Sequence, residues 1–195
     1  MNLPNKITFG RIILTAVILV ILLFPFEAVG IMFPNLFINE SIVIDIRYFI
    51  AGILFILAII SDIIDGKLAR KYAMETKMGK VMDDIADRVL VDSTLLVLSV
   101  SGFISSIIPL VVITTEIINN SIQKNCTENL KIKRNIQKIQ KLLIHAGIAL
   151  TLFYNLPFEL INFRVSDVLL MISSVLCIVT TMECITNSKK CFEMQ

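Results

Sequence analysis

Long apolar runs, not short alternations, set the pattern of this chain. The first runs from Ile12 to Phe26, after a polar opening that carries Lys6, Thr8 and Arg11. Pro25, Gly30 and Pro34 then break the pattern, and residues 34–43 are expected as an outer loop. Further apolar helices are expected at about Ile44–Ile64, from Gly79 through Val100, Ile104–Ile118, Leu142–Tyr154 and Val165–Thr186. Gly102 marks a tight turn, and Asn155-Leu156-Pro157 turns the chain again. The stretch from Lys124 to Lys141 is basic and polar enough to lie at a surface. The expectation is an all-α, polytopic integral membrane protein with six transmembrane helices and a short N-terminal interfacial helix.

Composition agrees. With 56% hydrophobic residues and mean hydropathy +0.83, the chain is too apolar for an ordinary soluble domain. The net charge of +2 indicates no general nucleic-acid footprint. Cys177, Cys184 and Cys191 recur every seven residues and read as a helix stripe; with Cys126 they form no C-x2-C pair. No repeat or low-complexity segment divides residues 1–195, so a single membrane domain is expected. A small-residue cleavage site after the first apolar run is lacking, which argues against a signal peptide.

Charge fixes the expected orientation. Sixteen of the 18 lysines and arginines fall in the N-terminus, residues 67–88, residues 124–141 and the C-terminus; Arg47 and Arg164 lie on the other side. By the positive-inside rule both termini are cytoplasmic, in the cell membrane.

Against this background the stretch from Asp62 to Asp87 stands out. Asp62, Asp65, Gly66 and Ala69 fall at i, i+3, i+4 and i+7, and Gly79, Asp83 and Asp87 at i, i+4 and i+8. Two helices could thus turn four carboxylates toward one point, with glycine leaving room for a ligand. Acids near a bilayer cost roughly 2.5–3.5 kcal/mol each even on the lenient insertion scale. One arginine, Arg70, cannot balance four of them. All-carboxylate ligation suits hard divalent ions, Mg2+ or Mn2+, and two such ions form a phosphoryl-transfer clamp. An acidic solvated loop without metal is the competing reading, and the regular spacing, glycines and apolar flanks speak against it.

These residues resemble the signature of the CDP-alcohol phosphotransferases, D-x2-D-G-x2-A-R-x8-G-x3-D-x3-D, at every fixed position: Asp62, Asp65, Gly66, Ala69, Arg70, Gly79, Asp83 and Asp87. The resemblance implies two divalent metals held by Asp62, Asp65, Asp83 and Asp87, with Asp87 also the base for the incoming alcohol. It implies that Arg70 contacts phosphate and that Gly66, Ala69 and Gly79 let the CDP-lipid lie close. It also implies a homodimer, a site at the cytoplasmic face, and CDP-diacylglycerol, a small alcohol and membrane lipids as partners.

The acceptor is read less directly. The opening Asn-Leu-Pro-Asn, with Thr8 and Arg11, is similar to the start of bacterial phosphatidylglycerophosphate synthases, which use glycerol 3-phosphate. Those enzymes follow the fourth helix with Arg-Glu-Phe, a further Arg and a Gly-Lys-x-Lys patch. Here the stretches read Thr115-Glu116-Ile117, Gln123 and Gln137-Lys138-Ile139-Gln140, so Glu116 and Lys138 remain as acceptor-binding candidates. Losing both arginines removes a fork suited to phosphate. Glycerol 3-phosphate is the expected acceptor; the alternatives are an inositol derivative, serine or phosphatidylglycerol, or a non-catalytic membrane paralogue. His145 reads as a helix residue near the interface, Asp92 as a cavity-lining or a satisfied buried acid, and Glu183 as an acceptor contact or a simple interfacial acid.

Overall fold

The computed structural model describes residues 3–30, 33–38, 42–71, 77–123, 131–156, 158 and 163–193. Six α-helices account for most of them: α1 (Leu3–Leu23), α2 (Ile46–Lys71), α3 (Lys77–Val100), α4 (Ile107–Gln123), α5 (Lys131–Leu152) and α6 (Val165–Glu193). Helix α1 is continuous, so the separate interfacial helix expected ahead of the first span is part of α1 itself. Pro4 falls in its first turn, where a missing N–H costs nothing. Helix α2 continues through the acidic stretch to Lys71, as the i, i+3 spacing requires. The basic residues from Lys131 onward belong to α5, because their apolar partners keep a helical period beyond the expected start.

The expected outer loop at 34–43 is corrected to a β-hairpin, which also qualifies the all-α expectation. Strand β1 (Asn35–Ile38) pairs antiparallel with β2 (Ile42–Asp45), Asn35 opposite Asp45 and Ile38 opposite Ile42. Leu36-Phe37-Ile38 and Ile42-Val43-Ile44 are β-branched and aromatic runs on either side of a short polar break.

The apolar faces point two ways. Inward, Ile18, Phe55, Leu95, Leu98, Ile148, Leu152 and Leu170 form a fully buried core shared by α1, α2, α3, α5 and α6. Outward, Val20, Ile53, Leu57, Leu110, Val175 and Met182 are exposed, the composition of a surface facing lipid. Ile46–Ile64 and Val165–Thr186 are long and apolar enough to cross a membrane, and only 22% and 33% of those windows are buried. A core helix of a soluble protein would be mostly buried. Phe9–Leu23 and Ile107–Ile122 are shorter apolar helices.

Five buried threonine hydroxyls are satisfied locally: Thr15, Thr94, Thr151, Thr180 and Thr181 each donate to the carbonyl four residues back. Helices α5 and α6 come close at Gly147, where an added Cβ would stand 2.7 Å from the Leu170 side chain. Gly102, at φ +79°, ends α3 with the N–H of Phe103 on the Leu98 carbonyl and its own on Ser99.

At the end of the bundle near the hairpin, Asp45 caps α2. Its Oδ1 accepts the Arg47 backbone N–H at 2.9 Å, and the Arg47 guanidinium binds both carboxylate oxygens. The Asp45 N–H donates to the Tyr154 hydroxyl at 3.0 Å, and the Tyr154 ring packs edge-on against Tyr48 and Phe103. Burial alone would raise the Asp45 carboxyl, but the Arg47 hydrogen bonds outweigh it and hold it below its ordinary value of 3.8. A lowered carboxyl stabilises the fold above its unfolded value, and that contribution is lost as pH falls through the folded value. Asp45→Ala is therefore expected to cost about 1–2 kcal/mol near neutrality, read as a lower Tm in detergent. The gap to wild type should close in acid below about 3.8; a gap that stays constant contradicts the cap.

Candidate active site

At the other end of α2 and α3 the acids of the sequence motif meet. Asp62 comes from α2, and Asp83 and Asp87 lie one turn apart on α3. Between them stands Arg11 of α1, its side chain 0% exposed. Its Nη1 lies 2.8 Å from Asp62 Oδ1 and 2.8 Å from Asp83 Oδ1. An arginine inside an apolar helix is tolerable only with such partners.

A second cation enters from α5. Lys141 Nζ lies 2.8 Å from Asp87 Oδ2 and 3.7 Å from Asp62 Oδ2, with its side chain half exposed. One turn on, His145 places Nε2 3.5 Å from Asp87 Oδ1, while its Nδ1 is 2.6 Å from the Lys141 carbonyl. That carbonyl can only accept, so Nδ1 carries a hydrogen. Asp87 is 13% exposed at its side chain and faces both groups.

The backbone of α2 carries Asp65, Gly66, Ala69 and Arg70 on the turns after Asp62; their side chains lie outside the described residues. Gly79 lies in the first turn of α3. Among the described residues no group of three or more His, Cys, Asp or Glu is close enough to hold a metal ion, and that set lacks the Asp65 side chain. The donor chemistry nevertheless suits a hard divalent cation. Asp62 and Asp83 already share one nitrogen and Asp62 and Asp87 another, so the carboxylates lie within the span of common cations.

Beside Asp87 opens a cavity of about 250 Å³ between α3, α4 and α5. Its polar wall includes Arg88, Asn119, Asn120, Gln137, Gln140 and Lys141. Arg88 is engaged: its Nε is 3.1 Å from Glu116 Oε1 and its guanidinium donates to Asn120 Oδ1 at 2.8 Å. Asn119 donates to Thr181 on α6 at 2.9 Å, and its buried Oδ1 has no partner among the described residues. Of the two acceptor candidates, Glu116 lines this cavity, whereas Lys138 is exposed and outside it. The lysine that α5 delivers is Lys141, three residues on.

Sequence reasoning assigned no role in the site to Arg11, Lys141 or His145. Two signals could have found them: Arg11 is a charge at the head of an apolar helix, and Lys141 and His145 share a face at i, i+4. Asp92, on α3, is half-buried with one oxygen unpartnered among the described residues, but it does not line the cavity.

A bundle of largely apolar helices, two of them long and apolar enough to cross a membrane, brings acids of α2 and α3 together beside a polar cavity. The chain belongs to the CDP-alcohol phosphatidyltransferase family, whose pattern matches residues 1–181. It is 32% identical over 177 residues to the CDP-diacylglycerol--glycerol-3-phosphate 3-phosphatidyltransferase of Bacillus subtilis (strain 168), covering 88% of this chain and 86% of that one. It is 33% identical over 123 residues to the protein of the same name in Rickettsia typhi, covering 63% and 59%. With that of Mycoplasma genitalium it shares 43% over 63 residues, covering 32% and 27%.

Removing Arg11 leaves two partly buried carboxylates without their shared charge. Arg11→Met is expected to destabilise the metal-free protein by about 3–5 kcal/mol, read by thermal unfolding in detergent with chelator. Adding Asp83→Asn should recover part of the loss. Strictly additive losses would mean that the two side chains do not act on each other.

Proposed function

We propose that this protein transfers the phosphatidyl group of CDP-diacylglycerol to glycerol 3-phosphate, giving phosphatidylglycerophosphate and CMP. The observation that carries the reading is the meeting of Asp62, Asp83 and Asp87 beside a polar cavity. The name of the Bacillus subtilis relative, matched over most of both chains, supports glycerol 3-phosphate as acceptor.

In this reading Asp62, Asp65, Asp83 and Asp87 hold two divalent ions, Mg2+ or Mn2+, whose charge offsets that of the diphosphate. Arg70 contacts phosphate, and Gly66, Ala69 and Gly79 let the nucleotide approach the backbone. The acceptor occupies the cavity between α3, α4 and α5, with Glu116 in its wall. Its hydroxyl oxygen bonds to the β-phosphorus as the bond to CMP breaks, and Asp87 takes the hydroxyl proton. A carboxylate is a weak base for an alcohol; fixed geometry offsets part of that weakness. The diacyl tails stay in lipid between helices.

The same reading sets six spans with both termini cytoplasmic and the aspartates at the inner face, supported by the charge asymmetry and the outward apolar faces. It includes the homodimer that the family resemblance implies. A second reading, with another alcohol as acceptor, is favoured by two observations: Arg88 is engaged by Glu116, and no arginine stands at positions 115 and 123.

The test is CMP release from CDP-diacylglycerol by the full chain in detergent with Mg2+ or Mn2+. Glycerol 3-phosphate is expected to be used; release only with an inositol derivative, serine or phosphatidylglycerol selects the second reading, and silence with all of them sinks both. Asp87→Asn should lower turnover by about a thousandfold or more with an unchanged elution profile; near-normal turnover would remove Asp87 as the base.

A further inference from the structure

We propose that Lys141 is an exchangeable counter-ion: it neutralises the carboxylates when no divalent ion is bound, and on metal binding it turns into the cavity to hold the acceptor's phosphate. The proposal rests on the reading that the acceptor is glycerol 3-phosphate, and deepens it.

Three observations carry it. First, Lys141 and Arg11 differ in kind. The Arg11 side chain is 0% exposed between Asp62 and Asp83, whereas Lys141 is 50% exposed at the end of a flexible four-carbon stem. Of the two, Lys141 is the cation that can leave. Second, Lys141 occupies oxygens that the reaction needs. Its Nζ is 2.8 Å from Asp87 Oδ2 and 3.7 Å from Asp62 Oδ2. An ammonium there competes with a divalent ion for the same carboxylates, and it occupies one of the acceptor sites of Asp87. A divalent ion bound at those oxygens displaces Lys141.

Third, the place it would move to lacks a ready cation. Lys141 lines the 250 Å³ cavity together with Asn119, Asn120, Gln137 and Gln140. Among the described lining residues the other lysine or arginine is Arg88, which is bound to Glu116 and Asn120. The wall also carries Asp84, Asp87 and Glu116, so an incoming phosphate meets carboxylates unless a positive group is released toward it. Swinging the amine from Asp87 supplies that group without any new residue. Metal and phosphorylated acceptor then favour each other, because the first frees the cation that binds the second.

The experiment has one arm without substrate. Mn2+ is titrated into the full chain in detergent, free Mn2+ being read by electron paramagnetic resonance, for wild type and Lys141→Gln. Removing the competitor should tighten Mn2+ binding by about tenfold, within the usual range of coupling between sites. Lys138→Gln, which removes an exposed charge one turn away, should change it by no more than about twofold. In the second arm, the KM for glycerol 3-phosphate in CMP release should rise in Lys141→Gln by about tenfold or more, as for loss of a charged hydrogen bond. Lys141→Met repeats both arms if the glutamine variant does not fold.

Unchanged or weaker Mn2+ binding overturns the proposal, since Lys141 then does not compete with metal. Tighter Mn2+ binding with an unchanged KM overturns it as well, because the released amine does not reach the acceptor. A wild-type chain that never uses glycerol 3-phosphate removes the underlying reading instead, and the substrate-free Mn2+ arm tells the two failures apart.

Discussion

The buried guanidinium of Arg11, held between Asp62 and Asp83, ties α1 to both helices that carry the acids. Acids at the end of apolar helices are costly to desolvate and repel one another, so they can be gathered only around positive charge. Arg11 supplies a fixed one and Lys141 a movable one. Helix α1 packs against both α2 and α3, and so does α5, which is where these pairs meet.

The two ends of the bundle are built differently. At one end Asp45 and Arg47 close the start of α2, and Tyr154, Tyr48 and Phe103 pack around them. Those polar groups satisfy one another. At the other end Asp87, Lys141, His145, Arg88 and Glu116 surround a cavity that remains open. A second cavity of about 290 Å³, lined by Phe103, Tyr154, Arg164 and Asp167 among others, opens at the hairpin end as well, so the gathered carboxylates rather than the opening itself mark the site.

Helix α5 shows how one element serves both tasks. Its later turns bury Ile148 and Leu152 in the core, and Gly147 lets it lie against Leu170 of α6. Its middle presents Lys141 and His145, one turn apart, to Asp87. The fixed half holds the reactive half in register with α3.

The helices, their approximate spans and the acid spacing were legible in the sequence, because apolar run length and the 3.6-residue period are local properties. Asp62, Asp83 and Asp87 could be placed on helix faces for the same reason. The hairpin at 35–45 was missed because two short β-prone runs between proline and helix read equally well as loop. Which cations meet the acids was decided by tertiary structure alone. Arg11 and Lys141 lie 51 and 79 residues from Asp62, and nothing in their own neighbourhoods names a partner. Only the packing of α1 and α5 against α2 and α3 brings those charges within hydrogen-bond distance, where Coulomb attraction in a poorly solvated setting is strong enough to hold them.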